Sequence, residues 1–505
     1  MLDPLVKEIL NARVYDVAVE TPLDAAPRLS ERLGERVWLK REDMQPVFSF
    51  KLRGAYNKMA HLSPDELARG VVCSSAGNHA QGVALSARKL GCEATIVMPV
   101  TTPSIKSDAV RRLGGKVVLH GDSYDDAQAH ALAISEETEA VFVHPYDDPL
   151  VIAGQGTVAM ELLRQHSEPI DVIFVAVGGG GLIGGVAAYV KALRPEIRIV
   201  GVEPVDCASM TRALEAGRPV ALESVGKFAD GVAVKQVGEQ TYALCADLID
   251  EMITVDTDAI CAAIKDVFEE TRSILEPAGA LGVAGLKAWA ARNPGSNRSL
   301  VAVACGANMN FDRLRQVSER TELGEGREAL FAATIPEERG SFKAFCQALG
   351  DKSITGFSYR TNAAGDAAHI LVAAQVSGAD DTDALYAHLR EQGIGVEDLR
   401  DNELAKLHLP HMVGGHAVGL QDERIYRFEF PERAGALMDF FEHMGEHQWN
   451  ISLFHYRAFG SEVGRVLMGI QVPEDEQDEF DAFLARVGYR FTSEADNPVI
   501  GMFLG

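Results

Sequence analysis

Between residues 35 and 315 short apolar runs alternate with longer segments of helical spacing. The runs at 70–73, 94–98, 116–119, 172–177, 198–202 and 300–304 are almost continuously apolar. That pattern predicts strands buried on both faces of a parallel sheet. Segments 80–90 and 107–113 lie between them and predict helices, as does 51–60. The implied architecture is α/β: mostly parallel sheets covered by helices, in two lobes. The pattern changes at the polar, glycine-containing stretch 320–327, which reads as a linker.

Beyond it lies an internal repeat. Thr334-Ile335-Pro336-Glu337-Glu338-Arg339-Gly340-Ser341-Phe342 returns as Glu429-Phe430-Pro431-Glu432-Arg433-Ala434-Gly435-Ala436-Leu437, with the prolines (336 and 431) 95 residues apart. A helix-like run then ends at Gly350 in one copy and at Gly445 in the other. Each copy reads strand, Pro-Glu turn, helix, then strands. This is the mark of a duplicated α+β unit.

Composition narrows the function classes. A chain of 505 residues with 47% hydrophobic content has room for two or three cored domains. No apolar stretch is long enough to span a membrane, and the N-terminus lacks a basic-then-apolar leader, so a cytoplasmic location is expected. A formal charge of −25 disfavours nucleic acid and anionic membrane as partners. The seven cysteines stand singly with no CxxC pair, indicating neither a disulfide framework nor a zinc site. No metal is expected.

Four stretches carry candidate chemistry. The first is Ser49-Phe50-Lys51-Leu52-Arg53-Gly54-Ala55. A lysine amine forms a Schiff base with an aldehyde cofactor, although most lysines are solvated charges. The second is Ser74-Ser75-Ala76-Gly77-Asn78-His79, between a strand and a helix. Its small residues let backbone amides face an anion such as a carboxylate, although an ordinary helix cap reads the same way. The third, Val177-Gly178-Gly179-Gly180-Gly181-Leu182, offers four bare amides as a phosphate cradle. Gly179, Gly181 and Gly184 also fit GxGxxG, and Glu203 ends the next strand, a spacing that suits a nicotinamide-dependent oxidoreductase. The loop therefore implies a phosphate without saying which. The fourth is Ala304-Cys305-Gly306-Ala307-Asn308, directly after a strand.

In this order the four stretches resemble fold-type II pyridoxal-phosphate enzymes, most closely the biosynthetic threonine deaminases (threonine ammonia-lyases). Thr21-Pro22-Leu23, Lys40-Arg41-Glu42-Asp43, Val151-Ile152-Ala153-Gly154-Gln155-Gly156-Thr157 and Glu276-Pro277-Ala278-Gly279-Ala280-Leu281 match as well. The C-terminal repeat resembles that family's pair of ACT-like regulatory units, including Asn450-Ile451-Ser452-Leu453-Phe454-His455-Tyr456-Arg457. The resemblance implies a two-lobed catalytic domain over 1–322, then ACT-like units over 328–410 and 422–505. It implies that Lys51 bonds pyridoxal 5'-phosphate covalently, with Phe50 beside it. Asn78 contacts the pyridine hydroxyl, Gly178, Gly179, Gly180, Gly181 and Leu182 hold the phosphate, and Cys305 faces the pyridine nitrogen. Many members carry Ser at that last position; both groups are neutral, which suits elimination. Ser75, Gly77, Asn78 and His79 line the substrate carboxylate pocket. The implied reaction converts L-threonine to 2-oxobutanoate and ammonia, the first step toward isoleucine, with L-serine as a second substrate. L-Isoleucine is the implied inhibitor, L-valine its antagonist and a homotetramer the assembly.

Three other readings remain open at this stage. They are a catabolic serine/threonine dehydratase, a nicotinamide-dependent oxidoreductase and a non-enzymatic amino-acid sensor. An amino-acid racemase needs a second acid/base on the far side of Cα. Serine racemases place a Ser where this chain has Ala76, and a methyl group moves no proton. Phe228-Ala229-Asp230-Gly231-Val232-Ala233-Val234 resembles a loop near a cation site in some relatives.

Overall fold

The computed structural model describes residues 4–102, 104–121, 123–295, 297–311, 313–338, 340–350, 352–360, 367–402, 405–406, 420–431, 436–444, 447, 449–457 and 463–497. It divides into two compact units, Met1–Thr321 and Glu322–Gly505.

The first unit holds two sheets. The larger runs Leu23–Ala25, Arg36–Lys40, Ser299–Val303, Val172–Ala176, Arg198–Pro204, Glu251–Val255. All its pairs are parallel except the edge strand Leu23–Ala25. Every residue of Val172–Ala176 and Ser299–Val303 is buried, as the apolar runs 172–176 and 300–303 require. The smaller sheet, all parallel, runs Lys116–Leu119, Ala94–Met98, Val71–Ser74, Val141–Phe142. One expectation fails here. Lys116–Leu119 reads as a strand buried on both faces, yet it is an edge strand whose residues are exposed or half-buried. Its apolar content reflects half coverage at the sheet margin.

Helices flank both sheets. Lys51–Ala60 and Pro149–Gln165 cross so closely that a Cβ on Gly54 would sit 2.7 Å from the Val151 carbonyl oxygen. A Cβ on Gly154 would sit 2.6 Å from that of Arg53, so only glycine permits this crossing. The expected linker is only partly irregular. The helix Arg313–Gly324 runs through its first five residues, and Gly326 (φ +66°) turns the chain into the strand Glu328–Pro336.

The second unit bears the repeat out. Strand Glu328–Pro336, helix Ser341–Leu349 and strand Gly395–Asp398 recur as Glu423–Pro431, Ala436–Met444 and Arg490–Ser493. The second Pro-Glu turn after Pro431 and the glycine at 445 lie outside the described residues. The copies share one antiparallel sheet of eight strands: Gly395–Asp398, Glu328–Pro336, Ala367–Gln375, Ile354–Arg360, Asn450–Arg457, Val463–Gln471, Glu423–Pro431, Arg490–Ser493. The seam is Ile354–Arg360 against Asn450–Arg457, from Gly356↔Arg457 to Arg360↔Leu453. An aromatic core including Phe342, Phe345, Phe428, Phe440 and Phe483 fills the helix side.

Candidate active site

Lys51 opens its helix beside the end of the central strand Ser299–Val303. Phe50 N–H donates to the Cys305 carbonyl (3.3 Å), Ala307 N–H to that of Phe48 (2.8 Å), and Ser49 bridges Gly306. These backbone bonds seat residues 48–50 against 305–307. Phe48 takes a left-handed conformation there (φ +55°), uncommon for an aromatic residue. The Lys51 ammonium donates to the Pro145 carbonyl (3.0 Å) and lies 5.4 Å from the Phe50 ring centre. Burial lowers its pKa to about 8, while Cys305 and Glu276 pull the other way.

Two residues later the same helix is anchored by a buried charge network. Arg53 donates to Glu42 through Nε and Nη2 (both 2.8 Å), and to Glu161 through Nη1 (2.6 Å) and Nη2 (2.9 Å). Lys40 donates to Glu161 at 2.7 Å. All four side chains are fully buried. Burial pushes the Glu42 carboxyl up, but Arg53 and Lys40 hold it below its ordinary value. The network gives a role to Lys40, Glu42 and Arg53, which carry no catalytic assignment.

Asn78 opens the thirteen-residue helix Asn78–Leu90, above a loop in which Gly77 N–H donates to Ser75 Oγ (3.2 Å). His79 is buried with Nε2 against the Val143 carbonyl (2.9 Å) and Nδ1 unpartnered. Burial, and then Lys51, push its pKa down to about 3, so the ring is neutral.

The glycine loop joins Val172–Ala176 to the helix Gly181–Leu193. Gly180 has φ +92°, and a Cβ on Gly179 would lie 2.2 Å from the Tyr146 ring. The loop must therefore be bare backbone, and the first-turn amides of Gly181 and Leu182 have no partner within the helix. Glu203, the acid of the dinucleotide reading, is engaged elsewhere. It accepts from the Met210 (2.7 Å) and Thr211 (2.9 Å) amides and from Thr211 Oγ1 (2.7 Å). A helix-capping carboxylate is not free for a ribose hydroxyl.

Cys305 is buried, and burial pushes its thiol up to about 12, so it is neutral. Three side chains that sequence reading left without roles complete the site. Glu276 accepts from Asn78 Nδ2 (2.5 Å), and Asn308 Nδ2 donates to Asn78 Oδ1 (2.6 Å). Tyr146 walls the glycine loop and donates to the Gln236 carbonyl (3.1 Å). The first two stand inside motifs already noted, Glu276-Pro277-Ala278 and Cys305-Gly306-Ala307-Asn308. Tyr146 has no local signature. Among the described residues no cluster of His, Cys, Asp or Glu suits a metal ion.

The donor set fits a phosphorylated aldehyde. It comprises a partly buried amine of lowered pKa, a side-chain-free anion cradle on a helix N-terminus, and buried polar atoms at Ser49 Oγ and His79 Nδ1 that lack partners. Fold and site together define a pyridoxal-phosphate enzyme of fold-type II.

Comparison with known proteins agrees. Residues 14–306 match the model of the pyridoxal-phosphate dependent enzyme family. Residues 319–409 and 414–504 each match that of the C-terminal regulatory domain of threonine dehydratase. The L-threonine dehydratase biosynthetic IlvA of Burkholderia multivorans is 58% identical over 99% of this chain and 98% of its own. The structure of processed threonine deaminase isoform 2 from Solanum lycopersicum superposes with a TM-score of 0.62 at 54% identity, covering 63% of this chain and 88% of that one. Maize serine racemase follows at TM-score 0.58 and 34% identity, covering 62% and 95%. The chain belongs to the biosynthetic threonine dehydratase family of pyridoxal-phosphate enzymes.

Proposed function

We propose that this chain is a threonine ammonia-lyase that converts L-threonine to 2-oxobutanoate and ammonia under control of L-isoleucine. The observation that carries the reading is Lys51: a buried amine held at about 8, beside Cys305 and Glu276 and donating to the Pro145 carbonyl. In this reading Lys51, with Phe50 beside it, bonds the cofactor. Gly178 to Gly181 and Leu182 hold its phosphate through backbone amides, and Asn78 meets its ring hydroxyl. Bound pyridoxal phosphate supplies an electron sink that acidifies the Cα–H of the amino acid.

The freed Lys51 amine, neutral above about pH 8, removes that proton. Ser75, Gly77, Asn78 and His79 orient the substrate carboxylate. Cys305, kept uncharged by burial, would face the ring nitrogen and leave the cofactor a weaker electron sink, which suits elimination. L-Serine, one methyl smaller, is the second substrate. Ala76, where serine racemases carry a Ser, offers only a methyl group, so the likeness to serine racemase extends to the scaffold and not to proton delivery.

The catalytic part is 1–322, and the ACT-like units are 328–410 and 422–505. L-Isoleucine binding to these units, opposed by L-valine, shifts a homotetramer between two states of unequal threonine affinity. The cell compartment is the cytoplasm. The match of the repeat to a regulatory domain supports the regulated form, and no helix among the described residues is long and apolar enough to cross a membrane.

The test is release of 2-oxobutanoate from L-threonine by pure protein, with and without L-isoleucine. Sigmoidal, isoleucine-suppressed turnover is expected. Activity indifferent to isoleucine overturns the effector, and absence of activity in cofactor-loaded protein overturns the substrate.

A further inference from the structure

Asn78 is held from both ends by side chains of the larger sheet's lobe. Asn308 Nδ2 donates to the Val47 carbonyl (2.8 Å) as well as to Asn78 Oδ1 (2.6 Å). A backbone carbonyl can only accept, so the Asn308 amide orientation is fixed, and with it that of Asn78. The Asn78 Nδ2 end must then face Glu276, whose Oε1 accepts one of its two hydrogens. Glu276 stands at the N-cap of the sixteen-residue helix Pro277–Arg292, yet its side chain makes no cap hydrogen bond. The natural task of a carboxylate at that position is left undone in favour of Asn78. The packing around it is close, because a Cβ on Gly306 would lie 2.7 Å from Glu276 Oε1.

We propose that Glu276 is a positioning residue. Its carboxylate holds one Asn78 Nδ2 hydrogen so that the other is presented to the ring hydroxyl of the cofactor. The proposal rests on the assignment of Asn78 to that hydroxyl. It adds that the amide is polarised, as well as oriented, by a buried anion behind it. A carboxylate strengthens the Asn78 N–H as a donor. A protonated carboxyl keeps the contact and gives up the polarisation.

The charges around Glu276 set where that change falls. Asp230 faces it from the turn Asp230–Val232, Lys106 from the helix Ser104–Arg112, Arg313 from the helix Arg313–Gly324, and Lys51 and Cys305 from the centre of the site. Lys106 and Arg313 both pair with Asp230. Burial, then Asp230, raise the Glu276 carboxyl to about 7, against the Asn78 contact and the two cations. The donor strength of Asn78 therefore switches near neutral pH.

The experiment uses full-length holoenzyme and reads the visible absorption band of the bound cofactor from pH 5.5 to 9, with the cofactor dissociation constant. Wild type is expected to show a band shift with a midpoint near 7. Glu276→Gln keeps an acceptor of the same shape, so affinity stays within about twofold and the shift near 7 disappears. Glu276→Ala leaves the Asn78 amide unheld and weakens cofactor binding about tenfold, the scale of one charge-assisted hydrogen bond. Asn78→Ala serves as the reference. A wild-type pH profile in both Glu276 variants, with Asn78→Ala altering the band, overturns the proposal and leaves the site reading intact. If Asn78→Ala itself leaves band and affinity unchanged, the assignment of Asn78 fails, and the proposal with it.

Discussion

Arg53→Met removes one of four fully buried charges and leaves the other three. In the native network Lys40 and Arg53 balance Glu42 and Glu161. After the substitution Glu161 keeps Lys40 (2.7 Å) and the Tyr15 hydroxyl (2.8 Å). Glu42 keeps only neutral donors, Thr21 Oγ1 (2.6 Å) and Gln45 Nε2 (3.1 Å). An uncompensated buried charge costs about 3–5 kcal/mol. At about 2 °C per kcal/mol for a unit of this size, the calorimetric transition of the catalytic unit should fall by about 6–10 °C. Glu42 is held below its ordinary pKa in the native network, so its stabilisation is present above that value and is lost on acidification. Without Arg53, burial prevails and raises the Glu42 carboxyl, so the Arg53→Met deficit should be largest at neutral pH and shrink on acidification as Glu42 takes up a proton. Adding Glu42→Gln restores charge balance, so the double variant should regain at least half of the lost temperature although it carries more changes. A single variant within 1 °C of wild type, or a double variant less stable than the single, would refute the charge-balance argument.

Other outcomes follow from the same geometry. Lys51→Ala should abolish turnover and covalent cofactor attachment, read by loss of the yellow colour and of borohydride-stable label. In apoprotein Lys51→Met should stabilise the fold: the amine drops from 10.5 to about 8 on burial, an upper bound of roughly 3 kcal/mol. That cost is full below pH 8, where folded and unfolded amines are both protonated, and vanishes as pH rises past 10.5. Urea midpoints of the two apoproteins should thus converge between pH 8 and 10.5, and parallel curves would count against a buried amine. Gly179→Ala drives a methyl into the Tyr146 ring and should weaken cofactor binding by about 1–3 kcal/mol with the circular dichroism spectrum retained. Asp147→Ala removes acceptors for the Glu239, Gln240 and Thr241 amides and should cost about 1 kcal/mol of thermal stability.

What the sequence revealed was short in range. Lys51 in its stretch, the glycine loop and the strand at 172–176 announce themselves through composition over five to ten residues. The repeat was legible because Pro336 and Pro431 keep their register over a whole unit. The hidden parts are long-range meetings. Lys40 and Glu161 are 121 residues apart, and Asn78 and Glu276 are 198 apart. No periodicity links such pairs, and a buried glutamate looks like a solvated one until the fold encloses it. Tyr146 was missed because its function is shape, filling the space a Cβ on Gly179 would need. Lys116–Leu119 was misjudged because hydropathy records apolar content and not which neighbours a strand acquires.

The eight-stranded sheet of the second unit has one further consequence. Its seam comprises five registered pairs, Gly356↔Arg457 to Arg360↔Leu453, and its outer edges are the four-residue strands Gly395–Asp398 and Arg490–Ser493. Were the two copies separate chains, that seam would be a dimer interface dependent on protein concentration. Joined in one polypeptide, each copy meets the other at an effective concentration on the order of millimolar, whatever the dilution. The strand pairing at the seam can therefore remain short, backed by rings that meet across it such as Phe342 with Phe454, and the brief outer strands give a third copy little to grip. Tethering turns an association equilibrium into a fixed part of the chain, so dilution cannot separate the two copies.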